Sequence, residues 1–380
     1  EAPFLKSNYL KELSSKYYLG LYFGSFQSKK LNISNHFKFT ISAKGLIENY
    51  YKIPHINMQG WNFSASKKTL TKNNIHPKYD LQAIAFNGYR KQLRHLILFF
   101  KYYCEKNKDS KARIYAINNP TDPLHDQNIT NFYRKKIPFE LRERLILHKL
   151  DCFSSEKLSH NEIKASLMES KVNVIASRDE GAPRILSESI TSGKPILLSG
   201  STRMASIDEF SKIALQKFHS CKDFMQKAIN LIGISNRYNQ AELYPQFFVE
   251  NSIEKIAIEL EKICKLDKKL IIDFYYKNDL DKKYSHYLTG HSKILNFNEN
   301  LEDDVCTSER DFILLCNKLL NKDNKNISKI SKKIKKLEFF RKFRLKIYYF
   351  KVKLFYYFNC PETSNPYEID KKHFKKKNLI

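Results

Sequence analysis

The sequence predicts an α/β fold with a doubly wound parallel sheet, and three observations carry that prediction. Short apolar runs alternate with segments of helical periodicity between residues 79 and 266. Some of these runs end at turn signals, as at Asn87-Gly88 and Asn119-Pro120. Single helices separate consecutive strands, which implies parallel pairing with right-handed crossovers. A sheet of this kind binds its ligands at the carboxyl ends of its strands.

The individual elements follow from the same patterns. Extended segments are expected at Phe37–Ser42, Ile56–Trp61, Asp80–Phe86, Ala112–Ile117, Leu145–Leu147, Val172–Ala176 and Lys194–Leu198. Helices are expected at Ala43–Tyr51, Gln92–Cys104, around Ile137–Arg144, and at Ser159–Ser170, Pro183–Ser192, Ile207–Gly233 and Ser252–Leu266. The helix from Pro183 is expected to end at Gly193. Either Ser159 or Asn161 is expected to cap the helix before it.

The chain divides into three predicted segments. Residues 1–77 are aromatic-rich and end in a polar, lysine-rich linker at 62–77. Residues 78–266 contain the alternation of strands and helices. Residues 267–380 form a basic, aromatic-rich extension, irregular over 267–324 and helical in pattern over 327–358.

Composition limits the classes of function. Of the 380 residues, 42% are hydrophobic, which predicts a folded core and excludes wholesale disorder. The seven cysteines form no CxxC pair, so we expect buried thiols in a reducing compartment rather than disulfides or a zinc site. No apolar run approaches the roughly 18 residues of a membrane-spanning helix. The chain starts at Glu1 without a signal peptide, and we expect a fragment or a processed product.

The formal net charge of +27 has two interpretations. It favours an acidic partner, such as nucleic acid, an anionic membrane or a phosphorylated substrate. It equally fits a compositional background, because many of the lysines alternate with asparagine and isoleucine. Both interpretations remain open at this point.

The segment from Ser177 to Pro195, SRDEGAPRILSESITSGKP, has the pattern of an anion site. It follows a predicted strand, turns at Gly181 and enters a helix in which Pro183 suits the first turn. The free backbone N–H groups of such a turn bind anions, and the helix dipole adds to the attraction. Arg184 places a cation beside them.

Two carboxylates flank this turn. Glu180 precedes it and suits the hydroxyl groups of a sugar. Glu188 lies about one turn into the helix and suits the diol of a ribose. Two such acids are also found incidentally at the start of an ordinary α/β helix, so the interpretation depends on the whole segment and on the strands at both of its ends.

This segment resembles the signature of the retaining glycosyltransferases called glycosyl transferases group 1. The resemblance is carried by Glu180 and Glu188 with seven residues between them, and by the following Ser-Gly-Lys-Pro and strand. It implies the GT-B architecture of two Rossmann-like lobes, with residues 78–266 as the lobe that binds the nucleotide-sugar donor. It also implies a role in orienting the transferred sugar for Glu180, and donor binding by Gly181, Ala182, Pro183, Arg184, Ile185 and Glu188.

An earlier segment resembles the opening of the same lobe. The family has a strand, a glycine turn, and an arginine and a lysine that hold the diphosphate, and the matching residues here are Gly88, Arg90 and Lys91. The loop is shorter than the usual form, so whether Arg90, Lys91 or Arg94 contacts phosphate stays open. Residues 39–53 resemble the end of the N-terminal lobe. That lobe is therefore expected to be reduced or truncated, and no acceptor residues are assigned.

The resemblance implies transfer of a sugar from a nucleotide-sugar to an acceptor with retention, without a metal or another cofactor. The expected acceptor is a glycan or a lipid-linked saccharide in surface polysaccharide or lipopolysaccharide assembly. The expected location is the cytoplasm, at the inner face of the membrane. Two alternatives stand beside it: a non-catalytic fragment that binds nucleotide or membrane, and a basic nucleic-acid-binding protein. No nucleic-acid module accompanies the charge, which disfavours the last.

Other candidate sites are weaker. Asp279-Leu-Asp281 has the form of a metal-binding pair but no strand before it, and we interpret it as solvated. The histidines lack metal-ligand spacing. The basic helix at 327–358 fits an anionic membrane surface, and its apolar period equally fits packing on protein.

Overall fold

The computed structural model describes residues 8–22, 36–42, 52–58, 76–118, 125–151, 160–177, 179–180, 183–200, 202–204, 210–234, 244–277, 347 and 350. They form two compact units. The first contains the described residues up to Met58 and those from Pro245 to Lys277. The second contains those from His76 to Tyr244, together with Ile347 and Phe350.

The elements are numbered in chain order. The strands are β1 (Leu19–Tyr22), β2 (Phe37–Ser42), β3 (His55–Asn57), β4 (Tyr79–Phe86), β5 (Ala112–Asn118), β6 (Leu145–Asp151), β7 (Ser170–Ile175), β8 (Asp179–Glu180), β9 (Ile196–Ser199), β10 (Arg203–Met204) and β11 (Leu215–Phe218). The α-helices are α1 (Asn8–Lys16), α2 (Leu93–Lys106), α3 (Ile129–Lys136), α4 (His160–Met168), α5 (Arg184–Thr191), α6 (Cys221–Ile234), α7 (Val249–Cys264) and α8 (Lys268–Lys277).

The second unit is built on a six-stranded, fully parallel sheet in the order β11-β9-β7-β4-β5-β6. The chain enters at β4 in the middle, runs outward to β6, returns to β7 and runs outward the other way. This is the doubly wound order, and its direction changes between β4 and β7. The predicted α/β fold class with a doubly wound parallel sheet is confirmed.

One face of this sheet carries the apolar core. The predicted apolar stripe of α2, at positions 93, 96, 97, 100 and 103, is buried. Phe99 packs against Phe218 and Phe224 with ring centroids 5.0 and 5.3 Å apart. Aromatic rings thus tie α2 to α6 and to the edge strand β11, and each buried ring removes a large apolar surface from water.

The opposite face is polar at its centre. Gln82 Nε2 donates to Asn173 Oδ1 at 3.4 Å, and Asn173 Nδ2 donates to Ser189 Oγ at 2.8 Å. Arg113 Nε donates to Gln82 Oε1 at 2.8 Å, and its Nη1 lies 2.8 Å from Glu169 Oε2. Burial opposes ionisation of Glu169, but hydrogen bonds from Lys78 and Arg113 outweigh it and lower the pKa of that carboxyl group. These bonds connect β4, β5, β7 and α5.

The first unit has its own small parallel sheet, β1-β2-β3. Its core joins β2 and β3 to α7 and α8, with Phe39, Ile56 and Ile253 among the buried residues. Lys255 Nζ also donates to the Asn57 carbonyl oxygen at 2.9 Å. The sequence prediction placed α7 within 78–266, whereas its apolar face packs on β2 and β3.

One predicted helix is misplaced. Instead of a helix around Ile137–Arg144, the structure has α3 at Ile129–Lys136 and a short 3₁₀ turn at Phe139–Leu141. The reason is Pro138, which disfavours helical geometry in the residue before it. Ile137 accordingly ends α3 in an extended conformation, with φ −103° and ψ 114°.

A second predicted helix, Ile207–Gly233, contains a strand. Residues Leu215–Phe218 form β11, and within the described part of this range, from residue 210 on, the α-helix is Cys221–Ile234. The two buried residues of β11, Leu215 and Phe218, are three positions apart, which is helical spacing and hides the strand.

Two smaller differences from the prediction concern α4 and α8. Asn161 lies inside α4 rather than capping it, and α8 falls in a segment to which the sequence assigned no element. The described part of 327–358 is limited to Ile347 and Phe350, and Ala43–Tyr51, Asp279 and Asp281 lie outside the described residues. Among the described residues, no helix has the length and apolar character to cross a membrane.

His95 on α2 gives the fold a measurable pH dependence. Burial, with a further contribution from Arg94, lowers the pKa of His95 to about 4. The unfolded chain therefore binds more protons between that value and the ordinary pKa of about 6.5. Stability from the neutral ring is present above about pH 6.5 and is lost as the pH falls toward 4.

We predict that His95→Gln flattens this dependence. Between pH 7 and pH 5, the free energy of unfolding should fall by about 2 kcal/mol more in the wild-type chain than in the variant. Urea denaturation at both pH values measures the difference. Equal falls in the two proteins would show that His95 is protonated in the folded state.

Candidate functional site

The candidate site lies at the carboxyl ends of β4 and β7, where the winding of the sheet changes direction. The connections after these two strands lead to opposite faces of the sheet, so a crevice is left between them. The segment after β4 contains Gly88, Arg90 and Lys91, and the segment after β7 contains Glu180. Both predicted parts of the donor site therefore lead to the same crevice.

The turn after β4 is held by backbone hydrogen bonds. Gly88 N donates to the Phe86 carbonyl oxygen at 2.9 Å, and Lys91 N donates to the Gly88 carbonyl oxygen at 2.9 Å. Gln92 then starts α2 with φ 53° and ψ 40°, a left-handed conformation that a residue with a side chain rarely adopts. Gly88 itself has no positive φ, so the left-handed residue of this turn is Gln92.

Lys91 and Glu180 form a direct ion pair across the crevice. Lys91 Nζ contacts Glu180 Oε1, although 89 positions separate the two residues in sequence. The side chains are 25% and 12% exposed, so the pair is partly shielded from water but open on one side. A cation and a carboxylate that face one crevice can bind, respectively, a phosphate and a sugar hydroxyl.

The backbone of Glu180 is fixed by a small strand pair that the sequence did not predict. β8 pairs in parallel with β10, so that Asp179 lies opposite Arg203 and Glu180 opposite Met204. The hydroxyl of Thr202, which is buried, donates to the Ser177 carbonyl oxygen. The residues after β9 therefore hold the chain that leaves β7.

Helix α5 begins at Arg184, four positions after Glu180. Of the residues between them, Gly181 and Ala182 lie outside the described set. Pro183 is its N-terminal cap residue and makes no side-chain capping hydrogen bond. The first N–H groups of a helix, here those of Arg184 and Ile185, have no acceptor within the helix. With no cap side chain on them, they remain suited to an anion.

Arg184 and Glu188 pair along α5. Arg184 Nη2 lies 3.2 Å from Glu188 Oε1, and the Glu188 side chain is only 8% exposed. Arg184 Nε is buried and has no hydrogen-bond partner among the described residues. A buried guanidinium donor without a partner is costly, and an anion bound at the start of α5 would satisfy it.

Arg94 does not face the crevice with a free charge. Its Nε lies 2.7 Å from Asp126 Oδ2 and its Nη2 lies 3.0 Å from Asp126 Oδ1. Its guanidinium also lies over the Phe132 ring, 5.0 Å from the centroid. Of the three cations that the sequence left open for phosphate, Arg90 is exposed, Lys91 pairs with Glu180, and Arg94 is bound to Asp126.

Two further residues of the site have only a weak sequence signal. Asp126 precedes α3 in the order Asp-Gln-Asn, and its Oδ1 accepts a hydrogen bond from Asn128 N at 3.1 Å. That turn pattern predicts a helix start but not the contact with Arg94. Thr202 carries no motif at all. Among the described residues, no group of three histidine, cysteine or acidic residues has the arrangement of a metal site.

No protein-family model matches the sequence, and no curated protein matches it. Among solved structures, the chain is similar to the pneumococcal O-GlcNAc transferase GtfA in complex with UDP and GlcNAc, at 12% identity and a TM-score of 0.41, over 73% of this chain and 54% of that one. It is similar to TarM of S. aureus at 14% identity and a TM-score of 0.42, over 68% of this chain and 50% of that one.

A third similar structure is the C-terminal domain of a glycosyl transferase group 1 family protein, LpcC, from Francisella tularensis. The identity is 15% and the TM-score 0.36, over 51% of this chain and 100% of that domain. The chain spans about half the length of the first two proteins. Similarity at this level transfers no residue role and no substrate to this chain.

We predict that Lys91 and Glu180 are energetically coupled in the free protein. Lys91→Met, Glu180→Gln and the double variant form a double-mutant cycle, and urea denaturation gives the free energy of unfolding of each. Because the pair is partly buried, the coupling should be about 1 kcal/mol. The pair Lys227–Asp223 on α6, at 2.9 Å and more exposed, is the matched control and should give about 0.5 kcal/mol or less. A coupling at Lys91–Glu180 no larger than the control would contradict the contact.

Proposed function

We propose that this chain is a glycosyltransferase that takes a sugar from a nucleotide-sugar and transfers it to an acceptor hydroxyl with retention at the anomeric carbon. The donor binds in the crevice between β4 and β7. The rest of the proposal follows from the cations and carboxylates of that crevice.

The Lys91–Glu180 contact is the observation that carries the proposal. The sequence resemblance assigns Lys91 to the diphosphate and Glu180 to the sugar, from two motifs far apart in the chain. In a nucleotide-sugar, the diphosphate and the sugar are joined by one bond, so their binding groups must be neighbours. Lys91 Nζ and Glu180 Oε1 are in contact, which supports the assignment of both residues to one donor.

The transition state builds negative charge on the departing diphosphate. Lys91, the exposed Arg90 and the first N–H groups of α5 lie on the segments that border the crevice, and they supply the positive charge that stabilises it. Arg184, whose Nε has no hydrogen-bond partner among the described residues, adds a donor at the start of α5. These groups suffice for charge stabilisation without a metal ion, and no other cofactor takes part in the proposed reaction.

In the proposed step, the bond between the anomeric carbon and the phosphate oxygen breaks. A bond from the acceptor oxygen forms on the same face of the sugar, and the hydroxyl proton passes to the departing phosphate. Glu180 orients the sugar through its hydroxyl groups and does not attack it. Glu188, which is paired with the Arg184 guanidinium at 3.2 Å, receives the ribose diol.

The acceptor side is proposed from the family resemblance and the charge of the chain. A net charge of +27 favours acceptors at an anionic surface, such as lipid-linked saccharides or lipopolysaccharide at the inner face of the membrane. Synthesis from nucleotide-sugars places the protein in the cytoplasm, where these donors are made. The acceptor-binding residues are not assigned.

Calorimetric titration with the diphosphates of uridine, guanosine and adenosine, and with their sugars, tests the proposal. We predict that the wild-type chain binds one nucleoside diphosphate, and that Lys91→Ala and Glu188→Ala each weaken this binding about tenfold or more. A lost charge-assisted hydrogen bond of about 1.5–3 kcal/mol has that effect. Lys101→Ala, which removes a cation on α2 that pairs with Glu105, should bind like wild type.

Product analysis completes the experiment. With a matching acceptor, the product should keep the anomeric configuration of the donor, and chelation of divalent metals should leave the rate unchanged. A folded chain that binds none of the nucleotides would refute the donor site. Strong binding to any DNA or RNA with steep salt dependence, and none to nucleotide, would favour the nucleic-acid alternative.

A further inference from the structure

The turn that contains Gly88, Arg90 and Lys91 is closed at both ends by one residue that belongs to neither motif. At its start, Asp126 N donates to the Asn87 carbonyl oxygen at 3.2 Å, and Asn87 Nδ2 donates to the Asp126 carbonyl oxygen at 2.9 Å. At its end, the Asp126 carboxylate accepts two hydrogen bonds from Arg94, at 2.7 and 3.0 Å.

Burial makes these contacts strong and specific. Asp126 is 3% exposed and Asn87 is 3% exposed, so neither has water as an alternative partner. A carboxylate and a guanidinium joined by two parallel hydrogen bonds fix both distance and orientation. Asn87 Nδ2 also donates to Asn118 Oδ1 at 3.0 Å, which anchors the start of the turn to the end of β5.

The turn needs such support, because it contains strain. Gln92 has φ 53°, and a non-glycine residue persists in that strained region only where its surroundings impose it. Residues 87 to 94 therefore have a strained residue between two anchors on Asp126. Without the anchors, the left-handed conformation of Gln92 would relax and displace Lys91.

We propose that Asp126 is a positioning residue that holds the diphosphate-binding turn in its binding geometry, with Arg94 as its partner and not as a phosphate ligand. The proposal rests on the proposed function for the identity of the ligand. The hold on the turn itself does not depend on it.

Two binding measurements distinguish positioning from direct contact. Asp126→Asn keeps the shape of the side chain but presents an amide to Arg94 and leaves the guanidinium without its counter-charge. If Arg94 only positions the turn, Asp126→Asn and Arg94→Ala each weaken nucleoside diphosphate binding about tenfold or more, the order of effect expected of supporting residues. The double variant should then be no weaker than either single variant.

If Arg94 contacts phosphate, the result reverses. Asp126→Asn would free the guanidinium and leave the affinity unchanged or higher, while Arg94→Ala alone would lower it. Either of these outcomes overturns the proposal. Affinity for the nucleoside without phosphates serves as the readout for general damage: positioning leaves it unchanged, and a disordered fold lowers it as well.

Hydrogen exchange tests the hold without any ligand. In Asp126→Asn, exchange of the amides of Gly88 and Lys91, which are hydrogen-bonded in the turn, should rise at least about tenfold over wild type, since a 1.4 kcal/mol change is tenfold. Asp223→Asn, which breaks an ion pair with Lys227 on α6, is the control and should leave them unchanged. Arg94→Lys, which keeps the charge, should restore much of the protection against exchange that Arg94→Ala loses. If Asp126→Asn does not fold, the comparison of Arg94→Lys with Arg94→Ala tests the positioning role instead.

The two measurements separate the two claims. No nucleotide binding by the wild-type chain, with fast exchange in Asp126→Asn, would refute the proposed function and keep Asp126 as the anchor of the turn. Nucleotide binding by wild type, with unchanged affinity and unchanged exchange in Asp126→Asn, would refute the positioning role alone.

Discussion

The pairing of β4 with β7 is the constraint on which the candidate site depends. Leu81 lies opposite Val172 and Gln82 opposite Asn173, so the two strands run in parallel and end at one edge. One connection from this edge leads to α2 and the other to α5. Because the two connections separate, the groups just after each strand face each other. The meeting of Lys91 with Glu180 follows from this topology.

A buried polar layer fixes how these elements sit on one another. Gln82, Asn173 and Ser189 link β4, β7 and α5 through side-chain hydrogen bonds, and Ser189 Oγ donates on to the Lys194 carbonyl oxygen at 2.9 Å. Such groups add little net stability, but a lost partner costs about 1–3 kcal/mol, so alternative packings are disfavoured. The layer thereby fixes the position of α5, and with it Arg184 in the first turn, relative to the end of β7.

The two sides of the crevice differ in how firmly their groups are held. On the β4 side, the turn is closed by Asp126, which is buried. On the β7 side, Glu180 is held by the pairing of β8 with β10, and its carboxylate forms an ion pair with the partly exposed Lys91. Under the proposed function, an incoming diphosphate would compete for Lys91 and thereby release Glu180 for the sugar. The ion pair of the free protein would then hold both groups in the crevice before donor binding.

The sequence is sufficient to predict five of the six strands of the central sheet and the strand ends after which the candidate site residues lie. Elements with a strong period and clear ends, such as β4, α2 and α5, were predicted within a few residues, because local burial pattern and turn residues decide them. The pattern of β11 predicts a helix because its two buried residues have helical spacing. The predicted position of α3 is wrong because Pro138 forces Ile137 into an extended conformation, which ends the helix there.

Features that depend on contacts between residues far apart in the chain cannot be predicted from the sequence. The Arg94–Asp126 pair joins residues 32 positions apart, and neither lies in a motif. The sequence therefore offers Arg94 as a candidate phosphate ligand, whereas in the structure its guanidinium is paired with Asp126. The same holds for α7, whose amphipathic pattern predicts a helix but does not identify the sheet on which it packs.

A crystal structure of the chain with its tightest-binding nucleoside diphosphate shows whether the donor occupies the β4–β7 crevice. We expect the diphosphate between the turn at 88–91 and the first turn of α5, with phosphate oxygens about 3 Å from Lys91 Nζ and from the first helix N–H groups. We also expect Lys91 to have left Glu180. A diphosphate bound away from the β4–β7 crevice, or bound there with the Lys91–Glu180 pair intact, would contradict the proposal.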